Sequence, residues 1–270
     1  MRDSSSHSRP NLTRYWVPLL GATLAAAICV FVGLALELGP TDDAYITYRH
    51  SLNFALGHGL VFNPGEPVEA TTNFLFALIV GVLAVLRIEP VTGAFLVNLA
   101  SLGVIAFLLV SNARKRLVGI PARPWHWTHG LLLLIACPSM IYYVWVGLET
   151  VFYSALFLIG SLFFVSRSEK LRSIGLSGLF FGLAACTRME ALLVLPVAAV
   201  VLLIGDGFKS AVKKGLVLGA GFAIVFLPIL AYRWRFYGFP LPNTYYVKVQ
   251  GATLDLTLRG MGNAGGIDLL

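Results

Sequence analysis

Charge is scarce in this chain: only 12% of its 270 residues are Asp, Glu, Lys or Arg. Soluble domains carry about a quarter. A water-soluble globular design is therefore excluded. Cysteine is scarce as well. Cys29, Cys137 and Cys186 are odd in number, lie inside apolar runs and show no metal-ligand spacing. They exclude a disulfide framework and a cysteine metal centre, and read as small core residues. No Gly-Lys-Ser/Thr follows the glycine-rich stretch Gly57–Glu66, which excludes a Walker loop, and no strand–helix context supports a dinucleotide fingerprint. Alternating apolar patterns of the barrel-strand kind are missing too. What is abundant is apolar: 57% of residues are hydrophobic and the mean hydropathy is +0.80. Only helices and closed barrels cross a bilayer. The chain reads as an all-α, polytopic membrane helix bundle.

Apolar runs fall at roughly 16–38, 73–86, 91–111, 130–146, 150–166, 174–186, 190–204 and 215–232. The first is too long for a usual signal peptide and reads as an uncleaved anchor. The run 73–86 is short for a span of about 20 residues. If it lies on the outer face as an interfacial or re-entrant helix, every basic loop falls inside. The inner loops then hold 13 of the 20 Lys+Arg and 3 of the 13 acids, as the positive-inside tendency expects. The net charge of +7 thus needs no nucleic-acid partner. The expected organisation is a cytoplasmic N-terminus over 1–15, about seven crossings, a membrane region over 16–250 with a large outer loop over 39–90, and a Gly-rich outer tail over 251–270 that reads as the start of a further region.

This topology gathers four polar motifs on the outer face: 42–73, Gly147-Leu148-Glu149-Thr150, Thr187-Arg188-Met189-Glu190 and 240–248. Asp42 and Asp43 stand where the first apolar run ends. They read either as a helix N-terminal pair or as a general base or metal ligand, made more basic by partial desolvation. Arg49 reads as an ion-pair partner or a phosphate contact. His50 reads as structural or interfacial, and His58, between two glycines, as structural or part of a site. Asn63-Pro64-Gly65 suits a tight turn, after which Glu66 and Glu69 return toward the membrane. Glu149 reads as a helix-start carboxylate or a site residue. Arg188 and Glu190 read as an ion pair or as an anion clamp in which Glu190 orients Arg188. The short runs flanking them place both in a dip of the membrane. Tyr245 and Tyr246 belong to an aromatic-rich end (Tyr232, Trp234, Phe236, Tyr237, Phe239) that reads mostly as an interfacial belt. Lys248 offers a second cation for a phosphate. The pattern demands no cofactor, though Asp42-Asp43 leaves a divalent cation open.

Taken in order, Asp42-Asp43-Ala44-Tyr45-Ile46, Tyr48-Arg49, Gly57–Glu66, Val68-Glu69, Thr72-Asn73, Gly147–Thr150, Thr187–Glu190 and Pro242–Lys248 resemble bacterial GT-C glycosyltransferases, nearest to the terminal β-(1→2) arabinofuranosyltransferase-like family. The resemblance covers roughly residues 16–250, and relatives are longer, so it implies an N-terminal catalytic half. It implies a GT-C membrane fold and transfer of a sugar, arabinofuranose being the family's example, from a polyprenyl-phosphate donor to a cell-envelope glycan or protein acceptor on the extracytoplasmic face of the cell membrane. An acidic residue of the first outer loop is central in that family, which points to Asp42 or Asp43. Arg49, His58, Glu149, Arg188, Glu190, Tyr246 and Lys248 then serve substrate or phosphate binding. The rival expectation is a polyprenyl-lipid or solute carrier, or an inactive partner subunit. Such carriers keep ionisable residues along the whole path, whereas here the polar motifs gather on one face.

Overall fold

A computed structural model describes residues 13–116, 137–166 and 171–243. Every regular element among them is helical: α1 (Thr13–Ala35), α2 (Asp42–Ala55), α3 (Phe74–Val85), α4 (Pro90–Arg116), α5 (Pro138–Trp145), α6 (Thr150–Val165), α7 (Leu171–Thr187), a 3₁₀ turn (Met189–Leu193), α8 (Val194–Gly205) and α9 (Phe208–Tyr237). Among the described residues, three stretches are long and apolar enough to cross a membrane: Trp16–Ala35, Pro90–Ser111 and Phe208–Tyr237. At 1.5 Å per residue, the 30 residues of α9 reach about 45 Å, well beyond a hydrocarbon core of about 30 Å. The 12 residues of α3 reach only about 18 Å. The expected runs at 174–186 and 215–232 correspond to longer helices, α7 and α9. Thr187–Glu190 is thus flanked by 17 helical residues on one side and by Met189–Gly205 on the other, more than the short arms the apolar runs suggested. Part of the run 130–146 and the segments 1–12, 117–136 and 244–270 lie outside the described residues.

The chain divides into two compact units, one of residues 1–41 and 94–155, the other of 42–93 and 156–270. In the first, α1 meets α5 at Trp145. The indole N–H donates to the Cys29 carbonyl at 3.0 Å, its ring lies where Gly33 leaves room, and Phe95 packs against it at 4.7 Å between centroids. The turn after α5 needs Gly147, whose φ is +77°, a backbone region that side chains disfavour. Asn98 of α4 clasps that turn, its Nδ2 donating to the Leu148 carbonyl at 2.9 Å.

The second unit is framed by α7 and α9, whose backbones touch. A Cβ on Gly178 would strike the Leu218 carbonyl oxygen, one on Gly221 the Gly175 carbonyl oxygen, and one on Gly182 would stand 2.7 Å from the Phe222 oxygen. Gly178 and Gly182 form a small-xxx-small pair, which lets apolar helices approach closely where lipid removes the hydrophobic drive. Against this frame sit α3 and, packed on α3 at Gly81, α2. A Cβ on Gly81 would meet Phe54 at 2.8 Å.

Helix α2 buries polar side chains alongside Ala44 and Tyr48, and exposes an apolar stripe beside the charged Asp42, Asp43 and Arg49. Thr47, His50, Ser51 and Asn53 are buried, while Tyr45, Leu52 and Leu56, on one face at i, i+7 and i+11, are exposed by 53%, 47% and 63%. An exposed apolar stripe on a short helix suits an interface with lipid. It ends at Gly57, φ +84°, where His58 N–H donates to Asn53 O and Gly57 N–H to Phe54 O. This is the Schellman closure that favours glycine.

Candidate functional site

The inward polar face of α2 exists to hold the strap, residues 56–73. Buried polar groups must find partners, and the strap supplies them. Asn53 Nδ2 donates to the carbonyls of Val61 and Phe62 at 2.8 and 2.9 Å. His50 Nδ1 lies 2.8 Å from the Ile46 carbonyl, and its Nε2 accepts the Ala70 N–H at 3.2 Å. These two partners fix the neutral tautomer with the proton on Nδ1. Burial is the main reason the His50 pKa lies below the ordinary histidine value. Ser51 Oγ bridges the Thr47 and Ala77 carbonyls, both at 2.9 Å. Asn73 Nδ2 donates to Thr47 Oγ1 at 3.0 Å, and Thr71 Oγ1 donates to Asn73 Oδ1 at 2.7 Å.

The strap's tip is the turn that Asn63-Pro64-Gly65-Glu66 predicts. Glu66 N–H closes on the Asn63 carbonyl at 3.2 Å, and Gly65 has φ +85°, the arrangement of a type II turn with Pro second and Gly third. Asn63 Nδ2 also donates to Glu66 Oε2 at 3.0 Å. Arg49 reaches the same tip. Its Nε donates to the Phe62 carbonyl at 2.8 Å, its Nη2 to Asn63 Oδ1 at 3.0 Å, and its guanidinium lies 4.5 Å from the Phe62 ring centre. In this state the guanidinium clamps the turn.

The strap's other end meets α9. Arg233 and Glu69, each 1% exposed, form an ion pair. Arg233 Nη2 and Nε both donate to Glu69 Oε1, at 2.8 and 3.1 Å, and Oε2 has no partner among the described residues. Burial pushes the Glu69 carboxyl up from the usual carboxylate range, against the opposing pull of the guanidinium. The Glu69 N–H donates to Asn243 Oδ1 at 2.9 Å. One turn along α9, Tyr237 donates its hydroxyl to the Leu60 carbonyl at 2.7 Å.

Asp42 and Asp43 occupy the first turn of α2 with exposed side chains, where the helix dipole favours negative charge. His58 is exposed at the strap's start. Arg188 precedes the 3₁₀ turn and pairs with Glu190 at 3.5 Å, their side chains 37% and 66% exposed. Glu149 belongs to the first unit, buried at the start of α6, where its carbonyl accepts the Tyr153 N–H at 2.8 Å. Tyr246 and Lys248 lie outside the described residues. Among the described residues no group of three or more His, Cys, Asp or Glu stands close enough to hold a metal ion. Sequence reading singled out neither Arg233 nor its pairing with Glu69. The available signal was an arginine late in a long apolar helix, two residues before Arg235, which must find a partner if it is buried.

The helices and this polar strap define a helical membrane protein with a hydrogen-bonded polar layer at one edge of its second unit. The chain is 30% identical over 227 residues to the terminal β-(1→2)-arabinofuranosyltransferase of Mycobacterium tuberculosis (strain ATCC 25618 / H37Rv), an alignment covering 77% of this chain and 34% of that protein. The chain thus spans about a third of the length of the curated relative it matches. The similarity relates it to glycosyltransferases. No family model matches the sequence, and no solved structure matches the fold.

Proposed function

We propose that the chain is the N-terminal catalytic part of a GT-C membrane glycosyltransferase that takes a sugar, arabinofuranose being the leading choice, from a polyprenyl-phosphate donor. The similarity to an arabinofuranosyltransferase carries this reading. The topology that goes with it has the N-terminus inside, about seven crossings, and α2, the strap and α3 on the extracytoplasmic face of the cell membrane. The shortness of α3 and the outward apolar stripe of α2 support that placement.

The chemistry requires a base and cations. An acceptor hydroxyl of an envelope glycan or protein gives its proton to Asp42 or Asp43 as its oxygen bonds to the sugar's anomeric carbon. The bond from that carbon to the phosphate oxygen breaks, and polyprenyl phosphate leaves with the electron pair. Exposed carboxylates in the first turn of α2 are open to an incoming hydroxyl, and general-base assistance typically contributes 10²–10⁴-fold. Arg188 and Lys248 meet the leaving phosphate, where preorganised cations stabilise developing charge. Glu190 orients Arg188. Tyr246 and His58 complete substrate binding, and Arg49 serves it from the strap tip.

Membranes carrying the full-length protein, supplied with radiolabelled polyprenyl-phosphate pentose, test this directly. Asp42→Asn or Asp43→Asn is expected to cut transfer at least a hundredfold. Unchanged turnover in both would remove the catalytic assignment. Labelling of Lys115→Cys from outside would refute the topology.

A further inference from the structure

The two ends of α9 differ in kind. Its last turns carry Arg233 and Tyr237, which hold the strap. Its first two turns carry Lys209, Lys213 and Lys214. Helix α7 runs beside α9 in the same direction: Gly175 lies against Val217, Gly178 against Leu218 and Gly182 against Phe222. Arg172, in the first turn of α7, therefore stands at the same end as the lysines. Lys213 and Arg233 are 20 positions apart on α9. That is about 30 Å of helix, equal to a hydrocarbon core of about 30 Å. The basic end and the strap thus fall at opposite edges of the hydrocarbon layer.

Most of this positive charge is not answered within the fold. Lys214 is taken by Asp206, the acid of the corner between α8 and α9. Among the described residues no acid pairs with Arg172, Lys209 or Lys213. Lys209 and Lys213 are exposed and stand four positions apart on one face of α9, where like charges repel mildly. The same corner also leaves Ile204, Phe208 and Leu216 exposed. Leu216 continues the face of Lys209 and Lys213 toward the apolar middle of α9. Cations alone would suit any anion. Cations set among bare apolar side chains suit a molecule that offers phosphate and hydrocarbon together. Lysine stems and their apolar neighbours can lie along acyl chains while the ammonium groups reach the head groups.

We propose that the α8–α9 corner, with the start of α7, is a binding surface for anionic phospholipid. Lys209, Lys213 and Arg172 face the phosphate of the head group, and Phe208 and Leu216 lie against the acyl chains. Asp206 limits the surface by holding Lys214. The surface stands at the far end of α9 from the strap and does not depend on the transferase reading.

The test uses the full-length protein in vesicles of equal parts phosphatidylglycerol and phosphatidylcholine. The photoreactive p-benzoylphenylalanine replaces Phe208, and its lipid adducts are identified by mass spectrometry. With the lysines intact, adducts should favour phosphatidylglycerol about fivefold or more, the size of effect that one or two lysines give at an anionic surface. Lys209→Gln together with Lys213→Gln should return the adducts to the proportions of the vesicle. Asp206→Asn, which releases Lys214, should raise the preference further, by about twofold. A ratio of two adducts does not depend on how much of a variant folds. Adducts in vesicle proportions with the lysines intact would overturn the proposal, as would a preference that survives the double lysine change or falls in Asp206→Asn. Absence of any lipid adduct at position 208 would overturn it as well. If inorganic phosphate abolishes the preference and sodium chloride of the same ionic strength does not, the corner is a bare anion site and the lipid assignment falls.

Discussion

The second unit contains two junctions built on opposite principles. Where α7 crosses α9, the contact is made by backbone: Gly178, Gly182 and Gly221 remove the side chains that would hold the helices apart. Where α2 meets the strap, polar side chains fill much of the buried contact, Thr47, His50, Ser51, Asn53, Glu69, Thr71 and Asn73, beside the apolar Leu60 and Val61. Lipid is as apolar as leucine, so a helix crossing inside the membrane gains little from apolar burial. The first relies on close packing, the second on hydrogen bonds whose loss would leave buried groups unsatisfied at about 1–3 kcal/mol each. The difference teaches a division of labour. Glycine contact builds a frame indifferent to side-chain identity around it, whereas the polar junction sets the direction of individual groups, which is what a site needs.

The largest expected effect breaks the frame. Gly178→Val places a branched side chain against the Leu218 backbone, and neither helix can yield locally. Overpacking of this kind belongs to the few mechanisms that exceed about 4 kcal/mol. The variant should fail to give a monodisperse species in detergent; near-wild-type thermal unfolding would show that the crossing is looser than its geometry.

The polar junction should break more conditionally. Arg233→Met leaves Glu69 buried without its cation, a loss of about 3–5 kcal/mol. Adding Glu69→Leu should recover most of that, because the second change removes the stranded charge. A double variant as unstable as the single one would mean that the pair's worth lies in packing. Denaturant or thermal unfolding of the three proteins decides it.

How far these junctions were legible in the sequence follows from their physics. The turn at Asn63–Glu66 was readable because only Gly tolerates the φ at position 65, and that requirement is local. The polar segment at 42–73 was readable as a distinct element because it interrupts apolar runs. The α7–α9 contact was not, since Gly178 meets Leu218 across 40 residues of chain and Gly221 meets Gly175 across 46, and nothing local marks which backbones face one another. Arg233 hid for the same reason: its partner is 164 residues away, and in sequence it looked like one more polar residue in an aromatic belt. Asp42 and Asp43 were legible as helix-start acids, because position relative to a helix end is itself a sequence property.

His50 offers a gentler way to weaken the polar junction. Its folded-state pKa is depressed, chiefly by burial, and its Nε2 accepts the Ala70 N–H, a bond that a second proton on that nitrogen would break. Below an unfolded value of about 6.5, the unfolded chain takes up a proton that the folded one refuses. Stability should therefore be full above that pH and fall as pH drops, by up to about 1.4 kcal/mol per unit until the folded-state pKa is reached. Thermal unfolding from pH 7.5 to 5 should show this slope, and His50→Gln should flatten it. A slope unchanged in His50→Gln would place the acid sensitivity elsewhere.

The smallest effect sharpens the comparison most finely, because it uses two glycines on one helix. Gly221 of α9 faces the Gly175 carbonyl, whereas a Cβ on Gly219 would meet nothing within 4 Å. If the crossing is a one-sided contact, these positions respond with opposite signs. Gly221→Ala should destabilise, since the methyl must push two backbones apart. Gly219→Ala should stabilise by about 0.5–1 kcal/mol, the helix preference of alanine over glycine where no neighbour interferes. Both are read as shifts in unfolding temperature in the same detergent. Equal destabilisation by both would mean that α9 is gripped on more than one side, and the frame would then owe its strength to something besides the glycine face.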